Sequence, residues 1–316
     1  MTTILDGGMG RELLRIGAPF RQPEWSALAL LEAPEFVRQV HDSFVLAGAD
    51  VITTNTYAVV PYHLGDDRFS ARGRELAELA GRLGRDAADA VVAATGRTVS
   101  LAGSLPPAFG SYRPDRFHAG DAARILDPLV AGQSPFVDLW LAETQGSTRE
   151  ARAARAAVGA QDERPFWISF TLEDAEPEAV AAGQRSPTLR SGESIAAAAQ
   201  AALDLQARAL LFNCSHAGVM EAAIREAAAA FAERTDRPPA IGVYANAFAP
   251  HAHRATGEAN EVLDALRDDL DPPEYLAFAR RWLEAGASIV GGCCGIGPAH
   301  IALLASALRE KVRLEG

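Results

Sequence analysis

Eight short apolar segments alternate with helical segments along the 316 residues, and this alternation predicts an α/β protein. The apolar segments show no two-residue alternation, which is typical of parallel strands covered on both faces. Eight such units in a chain of this length favour a (β/α)8 TIM-type barrel, with a single domain over residues 1–316. A doubly wound open sheet is the alternative that the same pattern allows.

The predicted strands follow one another at intervals that leave room for helices between them. In chain order they read TTILDGG, DVITTNT, TVSLAGS, FVDLWLAET, PFWISFTL, ALLFNCS, PAIGVYAN and SIVGGCC. The intervening helices include alanine-rich segments at 194–209 and 217–234, where alanine favours helix without adding specific contacts. No glycine- or serine-rich run marks a domain boundary.

Two similar segments show the helix-then-strand unit most clearly, FVRQVHDSFVLAGADVITTNTY and YLAFARRWLEAGASIVGGCCG. In the first, Phe36, Val40 and Phe44 recur every four residues, as one buried helix face requires. Gly48 and Gly286 stand where each helix should end, because glycine readily adopts the left-handed conformation of a helix C-cap. Each segment is therefore predicted to be an α-helix leading into a buried strand.

Composition limits the partners and the compartment. The net charge is −11, with 48% hydrophobic and 22% charged residues, and the chain lacks the basic stripe of a nucleic-acid-binding protein. The first residues lack a signal peptide, and no segment offers the ~18 apolar residues of a membrane span. We expect a cytoplasmic protein that binds neither nucleic acid nor membrane, as a monomer or a homodimer.

Functional sites of (β/α)8 barrels lie at the carboxyl ends of the strands, and these ends are polar here. They carry Asp6, Thr54, Asn55, Ser104, Glu143, Thr171, Cys214, Asn246, Cys293 and Cys294. All three cysteines of the chain therefore fall on one rim, at the ends of the sixth and eighth strands. An odd number of cysteines in a reducing compartment argues against a disulfide framework and favours a metal or catalytic role.

Three thiolates on one rim are typical of a catalytic zinc site, which keeps a fourth position open for water or substrate. Glycines flank Cys293 and Cys294 on both sides, and they allow the sharp backbone turn that two adjacent ligands need. The alternative is that the cysteines are small buried apolar side chains. A cysteine pair between glycines at a strand end is an unusual choice for packing, so zinc is favoured.

These motifs resemble those of the homocysteine S-methyltransferases, zinc-dependent thiol methyltransferases built on a (β/α)8 barrel. The likeness covers nearly the whole chain, through LDGGMGRELLRIG, AGADVITTNTY, LAGSLPP with SYRPD, LAET, FNCS, VYANA and IVGGCCGIGPAHI. It implies a homocysteine-binding barrel domain over 1–316 that transfers a methyl group from a small donor to the thiol of homocysteine, giving methionine. It also implies Zn²⁺ as cofactor, held by Cys214, Cys293 and Cys294.

The first and fourth strand ends offer candidate groups for an amino-acid substrate. By the resemblance, Asp6 and Glu143 contact the amino group of homocysteine, and the backbone N–H groups of Gly7 and Gly8 are expected near a ligand carboxylate. The alternatives are that Asp6 caps the following helix and that Glu143 pairs with a surface arginine. A dinucleotide site at LDGGMGREL is disfavoured, because the next strand ends in TTNTY without an acidic residue for a ribose.

Two asparagines and three histidines near the same rim are weaker candidates. Asn213 and Asn246 are expected either to orient ligands and complete the metal shell or to satisfy local backbone groups. His216, His251 and His253 are interpreted as solvated loop histidines, because the three thiolates already supply a metal site.

The methyl donor is constrained by charge and by the absence of a recognisable cobalamin or folate module in the sequence. S-Methylmethionine, S-adenosylmethionine and betaine remain, and a sulfonium is favoured because a thioether leaves a methyl group more readily than an amine does. The loop LPPAFGSYRPDRFHAG is predicted to be a lid, with Tyr112 either facing a cationic donor or packing on the barrel. Two alternative functions stay open, transfer to another thiol or selenol and a non-catalytic zinc- or thiol-binding barrel.

Overall fold

The computed structural model describes residues 2–21, 23–248 and 265–309. Within them, eight parallel strands form one sheet in the order β1-β8-β7-β6-β5-β4-β3-β2. The strands are β1 Thr3–Ile4, β2 Val51–Thr53, β3 Ser100–Leu105, β4 Leu139–Gln145, β5 Phe166–Phe170, β6 Ala209–His216, β7 Ala240–Asn246 and β8 Ile289–Gly292. A parallel bridge between Leu5 and Val51 joins β1 to β2. The sheet thus closes on itself, which confirms the predicted (β/α)8 barrel and excludes the open sheet.

Helices surround the barrel and connect each described strand to the next. They are α1 Met9–Arg15, α2 Ala27–Glu32, α3 Pro34–Ala47, α4 Pro61–Leu64, α5 Asp66–Thr95, α6 Ala119–Gln133, α7 Thr148–Val158, α8 Pro177–Ala181, α9 Ile195–Asp204, α10 Ala217–Ala232, α11 Pro272–Ala285 and α12 Pro298–Arg309. A single 3-10 turn, Pro114–Arg116, lies in the loop after β3. No helix among these is long and apolar enough to cross a membrane.

Local signals set several helix ends. Gly48 and Gly286 have φ angles of 106° and 119°, so the predicted left-handed C-caps of α3 and α11 are confirmed. The Ser147 side chain accepts a hydrogen bond from the Glu150 backbone N–H at the start of α7. The Asp271 side chain caps α11 in the same way through Glu274. These caps satisfy N–H groups that a helix start leaves without intrahelical partners.

Two apolar clusters form the core. The larger lies between the strands and the helices and includes the fully buried Phe44, Trp140 and Trp282. The smaller fills the inside of the barrel, and its buried members are Leu5, Val51, Ala102, Leu139, Leu141, Ala209, Leu211, Tyr244 and Ile289. Because side chains close the barrel interior below, the open space lies at the carboxyl ends of the strands, where the polar residues stand.

Candidate metal and substrate site

The three cysteines meet at the mouth of the barrel. Cys214 belongs to β6, and Cys293 and Cys294 directly follow β8, so only β7 separates the two elements. All three Sγ atoms lie within 4.8 Å of one another, with Cys214 4% exposed and the other two half-buried. Closure of the barrel therefore brings together thiols that stand 79 residues apart in the chain.

Cys214 and Cys293 are joined as a disulfide in this structure, with their Cα atoms 5.7 Å apart, and Cys294 lies outside this disulfide. The sequence argument disfavoured a disulfide, and the structure differs because the ends of β6 and β8 aim these two side chains at the same point. Thiols placed to share an ion are also placed to bond to each other. Metal binding at this cluster requires the reduced thiolates.

The residues fit a zinc ion. A tetrahedral site with Zn–S bonds of about 2.3 Å separates its sulfurs by about 3.8 Å, and the three Sγ atoms already lie within 4.8 Å of one another. Soft thiolate ligands favour zinc over calcium or magnesium, which prefer oxygen. Among the described residues no other group of three His, Cys, Asp or Glu side chains lies close enough together to hold a metal.

Strained backbone positions the Cys214 side chain. Cys214 and Thr144 have φ angles of 50° and 56°, in the left-handed region that residues other than glycine rarely adopt. The Asn213 side chain stabilises the backbone at both residues through three hydrogen bonds. Its Oδ1 accepts from Thr144 N (3.0 Å) and from Ser169 Oγ (2.7 Å), and its Nδ2 donates to Thr144 Oγ1 (2.8 Å). The fully buried Asn213 therefore links β4, β5 and β6 behind the cysteine.

Gly7 and Gly8 let the loop after β1 lie against the loop that carries the cysteine pair. A Cβ atom on Gly8 would stand 2.5 Å from Cys293 O, and one on Gly7 would collide with Ile296 O. The Gly8 N–H donates to Ile296 O at 3.0 Å. Since this bond occupies the Gly8 N–H, Gly8 is not available for the expected contact with a ligand carboxylate, and it instead allows close packing of the two loops.

Asp6 and Glu143 both face the cavity beside the sulfurs. Asp6 Oδ2 accepts from Thr53 N at 2.7 Å, and Glu143 Oε1 accepts from Ser104 Oγ. Burial raises the pKa of Asp6 to about 8 and that of Glu143 to about 7, because a low-dielectric site disfavours the charged form. Neither alternative from the sequence holds: α1 has no side-chain cap, and the described partner of Glu143 is a serine.

A buried polar network that the sequence did not suggest holds Ser104 in place. Thr54 Oγ1 accepts from Ser104 N at 2.9 Å and donates to Gln133 Oε1 at 2.6 Å. Gln133 Nε2 in turn donates to the carbonyl oxygens of Ser104 and Leu129. The sequence offered one sign of this network: Gln133 is a single amide at the end of α6, among residues that face the core. The network fixes the serine that binds Glu143.

The cavity at the barrel mouth measures about 140 Å³. Its lining includes Asp6, Gly7, Gly8, Trp25, Thr54, Asn55, Tyr57, Ser111, Tyr112, Glu143, Cys214, Tyr244, Phe248, Cys293 and Cys294. The Arg190 guanidinium covers one face of the Tyr112 ring, 5.1 Å from its centroid. Sequence reasoning did not assign roles to Trp25, Tyr57 or Tyr244, although Tyr57 and Tyr244 lie within the motifs AGADVITTNTY and VYANA, because an aromatic residue next to a buried strand is typical of the core.

Asn246 and His216 are not among the residues that line this cavity. Asn246 Oδ1 accepts from Phe248 N at 3.2 Å, so the side chain satisfies local backbone. His216 caps α10, since its Nδ1 accepts from Gly218 N at 3.1 Å and its Nε2 meets Arg267. His251 and His253 lie outside the described residues.

A closed (β/α)8 barrel with three converging sulfurs and two carboxylates in one cavity defines a barrel enzyme that acts on thiols. The chain belongs to the homocysteine S-methyltransferase family, whose profile matches residues 3–308.

Individual relatives show the same likeness over almost the whole chain. It is 28% identical to homocysteine S-methyltransferase 1 of Zea mays, over 98% of this chain and 94% of the relative. It is 29% identical to homocysteine S-methyltransferase of Escherichia coli, over 95% and 93%. The crystal structure of the metallated form of the E. coli homocysteine methyltransferase MmuM is similar, with a TM-score of 0.76 and 25% identity over 96% of each chain.

Proposed function

We propose that this enzyme transfers a methyl group from a sulfonium donor, S-methylmethionine or S-adenosylmethionine, to the thiol of homocysteine, with Zn²⁺ held by Cys214, Cys293 and Cys294. One observation carries the proposal: the three Sγ atoms, within 4.8 Å of one another, share a cavity with Asp6 and Glu143. Family membership and the similarity to a metallated homocysteine methyltransferase support it.

The side chains of the cavity bind and orient the acceptor. Bound zinc would supply a lowered pKa for the substrate thiol, so that its sulfur is a nucleophile at neutral pH. Asp6 and Glu143 bind the substrate ammonium, and the Gly7 N–H is the backbone donor for its carboxylate. The charge-assisted hydrogen bonds at one end of a short amino acid fix the direction of the sulfur at the other end.

The donor side of the cavity favours a cation. Trp25 and Tyr57 line the same space as the cysteines, and aromatic faces attract cations. Transfer of a methyl group from a cation to a thiolate neutralises charge, so a site that excludes water favours the transition state. Betaine meets this electrostatic requirement too, but an amine is a poorer leaving group than a thioether.

A donor-by-acceptor matrix on reduced, zinc-loaded protein tests the proposal, with methionine detected by mass spectrometry. We expect faster methionine formation from homocysteine with S-methylmethionine than with betaine. A clear preference for betaine would overturn the sulfonium assignment and leave the thiol acceptor standing. Faster methylation of another thiol or a selenol, without competition from homocysteine, would overturn the acceptor.

A further inference from the structure

Tyr244 stands in β7, between the two strands that lead to the cysteines. In the sheet it pairs with Asn213 of β6 on one side and with Gly291 of β8 on the other. Its ring belongs to the apolar cluster inside the barrel, against which Cys293 also packs. Because Tyr244 also lines the cavity, the ring forms part of the cavity floor beneath the sulfurs.

The hydroxyl of Tyr244 is buried and forms no hydrogen bond of ordinary geometry with the described residues. Its near neighbour is the Ser169 hydroxyl, which donates its own proton to Asn213 Oδ1 at 2.7 Å and can receive at most a weak hydrogen bond from the tyrosine, so the lone pairs of the Tyr244 oxygen have no donor. Buried polar groups in native proteins nearly always have partners, and exceptions call for an explanation. At the floor of a substrate cavity, the explanation is a partner that arrives with the ligand.

The surrounding charges identify that partner. Glu143 and Asp6 line the same cavity as Tyr244 and lie near enough to interact electrostatically with its hydroxyl. Asp6 Oδ2 and Glu143 Oε1 accept hydrogen bonds from protein donors, and Asp6 Oδ1 accepts a longer one of 3.3 Å from Thr53 Oγ1. This region therefore suits a cationic ligand that carries hydrogen-bond donors and binds between the two carboxylates.

We propose that Tyr244 is an acceptor-binding residue whose Oη accepts the third N–H of the substrate ammonium, beside Asp6 and Glu143. An ammonium carries three N–H donors, and the two carboxylates supply acceptors for two of them. The hydroxyl can accept through a lone pair while its own proton faces the Ser169 oxygen. This inference rests on the proposed function, because it takes homocysteine as the acceptor.

Tyr244→Phe on reduced, zinc-loaded protein tests the inference, with binding measured by calorimetry. The ligands are homocysteine and 4-mercaptobutanoate, which is homocysteine without its amino group. We expect the Kd of homocysteine to rise about tenfold, as the loss of one hydrogen bond to a charged group implies, and the Kd of 4-mercaptobutanoate to stay unchanged. The melting temperature of the ligand-free variant should equal or exceed that of the parent.

Tyr275→Phe is the matched control. Tyr275 is fully buried, and its hydroxyl donates to Gly291 O at 2.6 Å and accepts from Ala245 N at 3.1 Å. Removal of this bonded hydroxyl should lower the melting temperature and leave the ratio of the two dissociation constants unchanged.

The inference is overturned if Tyr244→Phe weakens the binding of both ligands equally or weakens the binding of neither. It is also overturned if Tyr244→Phe lowers the stability as much as Tyr275→Phe does. If the parent binds homocysteine with amino-group selectivity and Tyr244→Phe loses that selectivity, but the parent forms no methionine, the proposed function fails and the assignment of Tyr244 to the ammonium stands. If the parent forms methionine while Tyr244→Phe keeps full selectivity, only the inference fails.

Discussion

Replacement of Cys294 should remove metal binding without destabilising the fold. Its thiol is half-buried, at the rim and outside the disulfide, so serine in its place should leave the core intact. We expect Cys294→Ser to reduce the zinc content from about one per chain to a small fraction, because one of three strong ligands is lost, and to abolish methyl transfer. Elemental analysis and the melting temperature check this. Full zinc content with normal turnover would contradict the metal assignment.

Asp6 and Glu143 should govern recognition of the amino group. Asp6→Asn and Glu143→Gln each remove a charge-assisted hydrogen bond worth ~1.5–3 kcal/mol, so KM for homocysteine should rise by the corresponding factor of ~10 to 150. Zinc content should not change, because the carboxylates are not metal ligands.

4-Mercaptobutanoate is the control acceptor for both variants. It has no ammonium, so its kinetics should be nearly the same in parent and variants. Equal damage with both acceptors would mean that the carboxylates serve the fold or the donor.

The loop after β1 packs directly against the loop after β8, because glycines allow the two backbones to come into contact. Gly8→Ala would place a Cβ 2.5 Å from Cys293 O and 2.9 Å from Cys294 Cα. Overpacking of this kind costs about 1–3 kcal/mol, and it should displace the cysteine pair. We therefore expect weaker zinc binding and slower turnover, measured by competition with a chelator and by initial rates.

Gly120→Ala is the matched control for Gly8→Ala. Gly120 lies in the first turn of α6, and no neighbouring atom lies within 4 Å of an added Cβ. Alanine there should stabilise the helix by up to about 1 kcal/mol and leave zinc affinity unchanged. A Gly8→Ala protein with the zinc affinity of the Gly120→Ala protein would show that the two loops do not depend on their close approach.

The stability of the whole molecule should depend on pH through buried carboxyl groups whose pKa values are raised. Burial raises the pKa of Asp6 to about 8 and those of Glu143 and Glu150 to about 7, from ordinary values near 4. The folded protein thus keeps protons that the unfolded chain releases. Their contribution to stability is fully present below pH 4 and is lost as pH rises to about 8.

Asp6→Asn should therefore flatten the fall of the ligand-free melting temperature between pH 5 and 8. Thermal melts of reduced protein at several pH values provide the measurement. Asp204→Asn is the control, because Asp204 is exposed and its pKa is lowered by the hydrogen bond from Arg152. Parallel curves for the parent and Asp6→Asn would contradict a buried, protonated Asp6.

Several features of the site depended on contacts that no local pattern encodes. Asn213 was expected either to orient ligands or to satisfy local backbone groups, yet it bonds to Thr144, far away in sequence, because β4 and β6 lie on either side of β5. Gln133 belongs to no motif and Tyr244 lies within VYANA without a role assigned to it, and their importance follows from what the barrel places beside them. Contacts between residues far apart in sequence are set by strand register and closure, which short stretches of chain do not reveal.

Local sequence was sufficient for the eight strands, the helix ends at Gly48 and Gly286, and the position of all three cysteines at strand ends. These features follow from apolar patterning and backbone preference, which act over a few residues. Tertiary structure alone decided that Cys214 and Cys293 come close enough to bond to each other, that Ser104 holds Glu143, and that Tyr244 lies under the same cavity. The physical reason is that the barrel closes through pairings between distant strands, and only closure determines which strand ends face each other.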